Sequence, residues 1–211
     1  MFAMSMGRPP LELNTINEPD FTEQFDPIFG CAGTLWPLMH NLAHIISRSQ
    51  TGQDMTVPAK ALKHSLQTWS IESTGITEAY FETLVQIANA YKYCGLLALR
   101  MMNLDAAATD DNEMSSGIDL EQDLYQSAFG SLLRVGVLST TMATSVWPLY
   151  VVGKLARSSS DRTVILHIFS QCSLIHNMKV VEGAKNAVMA YWGADHSAGI
   201  NGGNLIPVLI G

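Results

Sequence analysis

The chain has 211 residues, of which 47% are hydrophobic and only 15% are charged, and its formal net charge is −7. The length predicts one domain with a core of its own, while the acidic balance excludes a basic surface that holds DNA or RNA directly. The three cysteines include no CxxC pair, which excludes a disulfide framework and a zinc-cysteine cluster. The shortage of charge indicates a large interior, an adhesive interface or a ligand cavity.

Residues 1–27 are polar and show no apolar periodicity, which predicts a loosely ordered lead-in or a remnant of cloning. The helical period then runs through 28–211. The predicted fold class is therefore all-α, a single-domain bundle of about seven helices with irregular termini. The first helix covers TLWPLMHNLAHIISRS, and its inward stripe is Leu35, Leu38, Met39, Leu42, Ile45 and Ile46.

The second and third helices follow after a short polar break. Pro58 lies in the first turn of the second helix, where a missing N–H group costs nothing. This helix is expected to bury Leu62, Leu66 and Trp69. The third is predicted over 77–104, and apolar residues cover so much of its circumference that we expect it at the centre of the bundle.

The small, acidic segment 105–118 predicts a flexible linker inside the domain. Asp119 and Gln122 resemble a capping box that opens the fourth helix. This helix is expected to bury Leu120, Leu124, Ala128, Leu132 and Val135. The fifth helix is predicted over TSVWPLYVVGKLA. The sixth follows a serine-rich break and is capped near Asp161, and the seventh ends at Trp192 and Gly193. A glycine-rich loop and a short apolar plug complete the chain.

The uncharged run between Arg134 and Lys154 approaches the roughly 20 apolar residues that a membrane-spanning helix needs. Five serines and threonines dilute its hydrophobicity, as do Gly136 and Pro148. Half-buried helices also flank it at short spacing. We therefore expect the run inside a helical bundle, and not in a bilayer as part of an integral membrane protein.

Motifs for catalysis are missing from the sequence. The GKL at Gly153 lacks the upstream glycine and the following Ser or Thr of a phosphate-binding loop. GINGG follows no predicted strand, which excludes a dinucleotide-binding fingerprint, and there is no GxSxG elbow. Most paired carboxylates fall in the linker, which cannot hold them in a shaped, dry pocket. The sequence predicts no enzyme activity and no cofactor.

His40 and His44 have the i, i+4 spacing that two metal ligands on one helix would use. No glutamate follows His40 as it would in a zinc protease. Both histidines also fall opposite the apolar stripe of the first helix. We expect them to be solvated surface residues, and no metal site is predicted.

Eleven methionines, many of them in helices, leave two interpretations open: a loosely specified core, or an adaptable surface for an apolar ligand or partner. From helix faces alone, candidate residues for an apolar pocket can be named, although several of them must be ordinary core. They are Leu42, Ile45, Trp69, Tyr91, Met101, Phe129, Leu133, Met142, Trp147, Val152 and Phe169.

The stretch SVWPLYVVGKLARSSSDR carries Trp-Pro-Leu, a glycine, a small-residue break and Asp-Arg. It resembles the regulatory domain of fungal zinc binuclear-cluster transcription factors. GCAGTLWPLMHNLAHII is similar to the first helix of that family, and ANAYKYCGLLALRMM to its long helix. The likeness covers 27–192 and implies an all-α domain that controls a separate zinc-cluster DNA-binding part.

The six zinc-liganding cysteines of that DNA-binding part are absent here, so the resemblance implies either a regulatory fragment or the loss of that part. Zinc is expected only there. NGGNLIPVLIG is similar to the end of the sterol uptake control regulators, which implies ergosterol as ligand. Gly199, Gly202 and Gly203 would then let a terminal loop close over the pocket, or they form an ordinary turn.

The resemblance implies a homodimer, located in the cytoplasm and the nucleus, that senses a sterol and makes no contact with nucleic acid itself. The alternative is a protein-interaction or dimerisation module without a small-molecule ligand.

Overall fold

The computed structural model describes residues 33–71, 78–102, 114–135, 145–176 and 179–195. These residues form seven α-helices and one 3-10 turn, Gly33–Leu35, with no strand among them. The helices are α1 (Trp36–Gln50), α2 (Thr56–Thr68), α3 (Glu78–Met101), α4 (Met114–Val135), α5 (Val146–Leu155), α6 (Ser159–His176) and α7 (Lys179–Asp195). The predicted all-α bundle is confirmed.

Helices α1, α2 and α3, the first three in the chain, pack against one another. They approach closely at Gly95 of α3, where an added β-carbon would lie 3.2 Å from Cδ1 of Leu66 and 3.5 Å from Cδ2 of Leu42. The end of α2 is held by Lys92, whose Nζ donates to the carbonyl oxygens of Gln67 at 3.2 Å and Trp69 at 2.8 Å. A cation there satisfies carbonyl groups that have no partner within their own helix.

The end of α3 lies beside the first half of α4, and Arg100 Nε is 3.9 Å from Glu121 Oε2. Helix α4 begins at Met114, five residues before the predicted capping box, so 114–118 are helical and Asp119 caps nothing. Leu120 was predicted to be buried but is 42% exposed. The inward stripe begins one turn later, because Tyr125, Ala128, Leu132 and Val135 take the buried positions.

Helix α5 is short and central. Eight of its ten residues are buried, and it packs against α3, α4, α6 and α7. A helix that is buried over nearly all of its circumference needs apolar residues on every side, which explains why this part of the sequence carries so little charge.

Helices α6 and α7 complete the bundle. The Oγ of Ser158 accepts a hydrogen bond from the backbone N–H of Asp161 at 3.0 Å, the usual arrangement at a helix start. The predicted break and cap are therefore confirmed. The periodicity predicts that α7 buries Val181, Ala184, Val188 and Tyr191. The first three are buried along one stripe, and Tyr191 is half-buried.

Within the described ranges, no helix is both long and apolar enough to cross a bilayer. Three expectations fall outside those ranges: the lead-in at 1–27, the first part of the predicted linker at 105–113, and the tail at 196–211. For these three segments the sequence-based predictions stand untested.

Candidate functional site: an aromatic cluster beside a buried helix

The tripeptide Trp-Pro-Leu occurs in the first turn of two helices, at Trp36 in α1 and at Trp147 in α5. Proline is tolerated in a first turn because the N–H group it lacks would have no partner within the helix. The tryptophan of each tripeptide is half-buried and contacts the same residue of α3, Tyr91. Both tripeptides therefore bring an indole ring to the central helix α3.

Trp36, Tyr91 and Trp147 form what we call the aromatic cluster. The rings of Trp36 and Tyr91 meet edge to face with centroids 6.3 Å apart, and those of Tyr91 and Trp147 stack at 5.6 Å. Both arrangements are favourable for aromatic pairs. Tyr91 is buried, and this desolvation raises the pKa of its phenol, with a smaller contribution from the nearby Cys94. The cluster thus presents flat apolar surface and no charge at neutral pH.

One turn along α3 from Tyr91, the thiol of Cys94 donates to the carbonyl oxygen of Pro148 at 3.6 Å. Burial raises the pKa of the Cys94 thiol well above its usual range. A thiol of this kind is not a nucleophile at neutral pH, because the thiolate is the reactive form. Its contribution is to hold the start of α5 against α3.

Two buried side-chain oxygens lack hydrogen-bond partners within the part of the chain that the structure describes. They are Oε1 of Gln86 and Oγ of Ser145. Gln86 uses its amide nitrogen to donate to Glu82 Oε1 at 2.6 Å, and Ser145 does not cap its own helix. Buried polar atoms in native proteins usually have a protein, water or ligand partner.

Lys154 is a buried cation that the sequence did not single out. It is 7% exposed, and its Nζ lies 4.6 Å from the ring centroid of Tyr191 and 5.5 Å from that of Tyr150. Desolvation lowers the pKa of the Lys154 ammonium to about 8. The available signal was its setting: a lone lysine between VVG and LA in a helix that is otherwise apolar.

The residues that carry the family resemblance make a joint between α5, α6 and α7. At Gly153 an added β-carbon would lie 3.0 Å from Cγ2 of Val188, so only glycine fits this crossing without a shift. Arg162 donates from Nε to the carbonyl oxygen of Ala156 at 2.9 Å, and its guanidinium carbon lies 5.1 Å from the ring centroid of Trp192. The roles visible here are architectural.

The Asp of the Asp-Arg pair also has a structural partner. Tyr125 of α4 donates its hydroxyl hydrogen to Oδ2 of Asp161 at 2.8 Å. Beside it, Arg157 donates to Oε1 of Glu121 at 3.2 Å across an exposed surface. Burial and the Asp161 carboxylate together raise the pKa of the Tyr125 phenol.

Nine of the predicted pocket residues belong to one hydrophobic core or pack against it. Tyr91 and Trp147 stack on each other, whereas Trp69 turns its indole N–H to Oγ1 of Thr34 at 3.0 Å. Met101 is half-buried against the core, and the fully or nearly buried members are Leu42, Ile45, Phe129, Val152 and Phe169. Periodicity alone does not distinguish such core positions from pocket-lining ones.

Leu133 requires a correction, because it is 48% exposed. Its neighbour Leu132 takes the fully buried position on α4, and Leu133, about 100° further round the helix, is turned toward the surface. Met142 and the three glycines Gly199, Gly202 and Gly203 lie outside the described residues. Trp36, Gln86 and Ser145 were not predicted as site residues, and neither glutamine nor serine gives a periodic signal.

In the described ranges, no group of three or more His, Cys, Asp or Glu side chains is placed to hold a metal ion.

The class of protein that these residues define is an all-α domain with an apolar, aromatic interior. The sequence model of the fungal-specific transcription factor domain matches residues 3–203. This chain belongs to that family.

No curated protein and no solved structure gives a significant match. Membership of the family assigns the chain a role in the regulation of transcription, with its action in the nucleus. The family is one of transcription factor domains and not of enzymes. The resemblance to a fungal regulatory domain is thereby confirmed at the level of the family.

Proposed function

We propose that this chain is a regulatory domain that senses an apolar small molecule, with ergosterol or a related sterol as the best candidate, and thereby controls the transcription of sterol or lipid genes. The observation that carries the proposal is the pair of buried oxygens without partners, Gln86 Oε1 and Ser145 Oγ. An unsatisfied buried polar atom costs about 1–3 kcal/mol. A ligand hydroxyl that reaches either oxygen would recover part of that cost.

The positions of these oxygens in the chain support the proposal of a sterol. Ser145 precedes Trp147 by two residues, and Gln86 lies on the same helix as Tyr91. A sterol is a flat hydrocarbon body with one hydroxyl group, so it needs apolar and aromatic walls and a single polar partner. The aromatic cluster supplies such walls. We include Tyr91 and Trp147 in the proposed pocket, together with the terminal glycines as its closing loop.

The proposal extends to the whole protein. A zinc-cluster DNA-binding part, present elsewhere in the full regulator, would make the contacts with DNA, and this acidic domain would make none. The protein would act as a homodimer and move between cytoplasm and nucleus as its ligand changes. A ligand drives such a change only if it binds one state better than the other.

The test is the melting temperature of the purified domain with and without ergosterol, delivered in cyclodextrin and compared with empty cyclodextrin. A bound ligand at a hundredfold excess over its Kd stabilises a fold by about 2.7 kcal/mol. Ser145→Ala should remove most of the sterol-induced rise. It should not destabilise the domain without sterol, because the Ser145 hydroxyl has no hydrogen-bond partner among the residues that the structure describes.

Ser170→Ala is the matched control, since its hydroxyl already donates to the carbonyl oxygen of Leu166 at 2.8 Å. This variant should keep the full response to sterol. A wild-type domain that shows no shift at saturating sterol would refute the sterol proposal. If the same domain associated with rising concentration in sedimentation experiments, the alternative of a protein-interaction or dimerisation module would be favoured instead.

A further inference from the structure

His40 and His44 lie one turn apart on α1 and touch through their rings. Their Nε2 atoms are 3.0 Å apart, the ring centroids are 4.5 Å apart, and the ring planes are inclined at 81°. Both side chains are half-buried. The sequence predicts solvated surface histidines, whereas both side chains are half-buried and in contact with each other.

The spacing of the rings shows how the two nitrogens can be used. A straight N–H···N hydrogen bond of this length would place the centroids about 5.3 Å apart, because both nitrogens would point at each other. The observed 4.5 Å is shorter, so the rings are tilted away from the line that joins the two nitrogens. With the Nε2 atoms 3.0 Å apart, a single ion bound about 2.05 Å from each nitrogen is within reach of both.

We propose that His40 and His44 form a two-histidine site for a divalent transition-metal ion, with nickel and copper preferred over zinc. Nitrogens 3.0 Å apart subtend about 94° at an ion 2.05 Å from each. That angle matches neighbouring positions of the square or tetragonal geometry that Cu(II) and Ni(II) favour. Tetrahedral zinc requires the two nitrogens to separate by a further 0.3–0.4 Å, roughly.

The chemistry of the site agrees with this ligand class. Imidazole nitrogen suits Ni, Cu and Zn, whereas Mg and Ca require oxygen ligands. The neutral imidazole is the form of histidine that binds a metal. Since no third His, Cys, Asp or Glu joins the pair in the described ranges, water completes the coordination.

A metal ion bound at this site stabilises one turn of α1. The same turn carries Leu42 and Ala43, which are buried in the bundle. An ion that bridges residues one turn apart binds the folded helix in preference to the unfolded chain, and it therefore stabilises the domain by mass action. The inference is independent of the proposed sterol site, because it uses none of the same residues.

The experiment is a calorimetric titration of tag-free protein with nickel chloride, together with thermal melts. We expect one strong site and a higher melting temperature. His40→Ala and His44→Ala should each weaken binding by at least about tenfold, since loss of even an outer-shell partner of a metal ligand has that effect. His64→Ala is the matched control, because His64 is exposed on α2, and it should bind nickel as the wild type does.

Two further measurements keep the inference testable if a single variant folds poorly. Adding Arg48→His to His40→Ala creates a new i, i+4 pair with His44 on α1, and it should restore nickel binding. In the wild type, substoichiometric Cu(II) should broaden the ring-proton NMR signals of His40 and His44 before those of His64 and His167. Nickel binding that is unchanged in both single variants, or equal broadening of all histidine signals, would overturn the proposal.

Discussion

The indole nitrogen of Trp192 donates a hydrogen bond to the carbonyl oxygen of Gly153, and the two atoms are 2.9 Å apart. This bond ties α7 to α5 at the point where Gly153 has no side chain and Val188 comes closest. Arg162 packs over the same indole ring while holding the end of α5. Gly153 and Arg162, from the stretch that carries the family resemblance, therefore build one joint with Trp192 between three helices.

Replacing Gly153 by alanine should destabilise this joint. The new β-carbon would lie 3.0 and 3.1 Å from the two methyl groups of Val188, and overpacking of a filled core costs about 1–3 kcal/mol. Urea denaturation measures the change in free energy of unfolding. Gly183→Ala on α7 is the control: nothing lies within 4 Å of its added β-carbon, and a helical Gly→Ala change should stabilise by about 0.5–1 kcal/mol. Equal effects at both positions would contradict the close crossing.

Arg162→Lys should cost about 1 kcal/mol of stability even though the charge is retained. Lysine cannot reproduce the bond from Nε to Ala156 or the planar packing on Trp192. Arg157→Lys provides the comparison, because Arg157 is 76% exposed in its side chain and pairs with Glu121 at the surface. Such surface pairs contribute about 0–1 kcal/mol. If the denaturation midpoints fell equally in the two variants, the planar guanidinium of Arg162 would have no special role in the stability of the fold.

Lys154→Met should change how stability depends on pH. Burial lowers the pKa of Lys154 in the folded state to about 8, below its usual 10.5, so the unfolded chain binds more protons between these values. By linkage, the free energy of unfolding of the wild type gains a positive contribution as pH rises from about 8 to 10.5, as the penalty for the buried charge disappears. At pH 7 the methionine variant should be more stable by about 1–2 kcal/mol.

The measurement is the difference in unfolding free energy between variant and wild type at several pH values, which cancels the titration of other groups. This difference should shrink as pH rises through the window. Lys60→Met, an exposed position on α2, controls for the loss of one positive charge and should give a difference that stays flat. A flat difference for Lys154→Met as well would mean that its ammonium is not desolvated.

Cys94 and Cys172 should resist thiol reagents in the native protein. Both are buried free thiols, and desolvation raises the pKa of Cys172 to about 11 and that of Cys94 further still. Labelling with iodoacetamide at pH 7.5, followed by peptide mass spectrometry, should find these two residues unmodified until denaturant is added. Rapid native labelling of Cys94 would show that the contact between α3 and α5 opens readily.

Most of the helical architecture could be predicted from the sequence because apolar periodicity reports directly on which face is buried. The stripe in α7 is an example, since Val181, Ala184 and Val188 recur at helical spacing and all three are buried. The start of α4 was misplaced for a physical reason. Asp119 and Gln122 have the residue types of a cap, but the helix is already formed at Met114, so a cap motif within a helical stretch carries no information about where it begins.

The candidate site was much less predictable. The stacking of Tyr91 on Trp147 joins α3 to α5, and the orphaned oxygens depend on what surrounds Gln86 and Ser145 in three dimensions. Neither relationship has a sequence period. The histidine pair shows the same limit: the i, i+4 spacing was visible, but its ring contact and half-burial depend on how α1 packs.

The central position of α5 has a consequence for hydrogen exchange. A short helix that packs against four others cannot open without disturbing all of them, so its amide hydrogens exchange only when the whole domain opens. Deuterium should therefore reach the amides of Val151 and Val152 last. Their exchange rate therefore reports on the opening of the whole domain, and any molecule that binds the folded domain should slow this exchange.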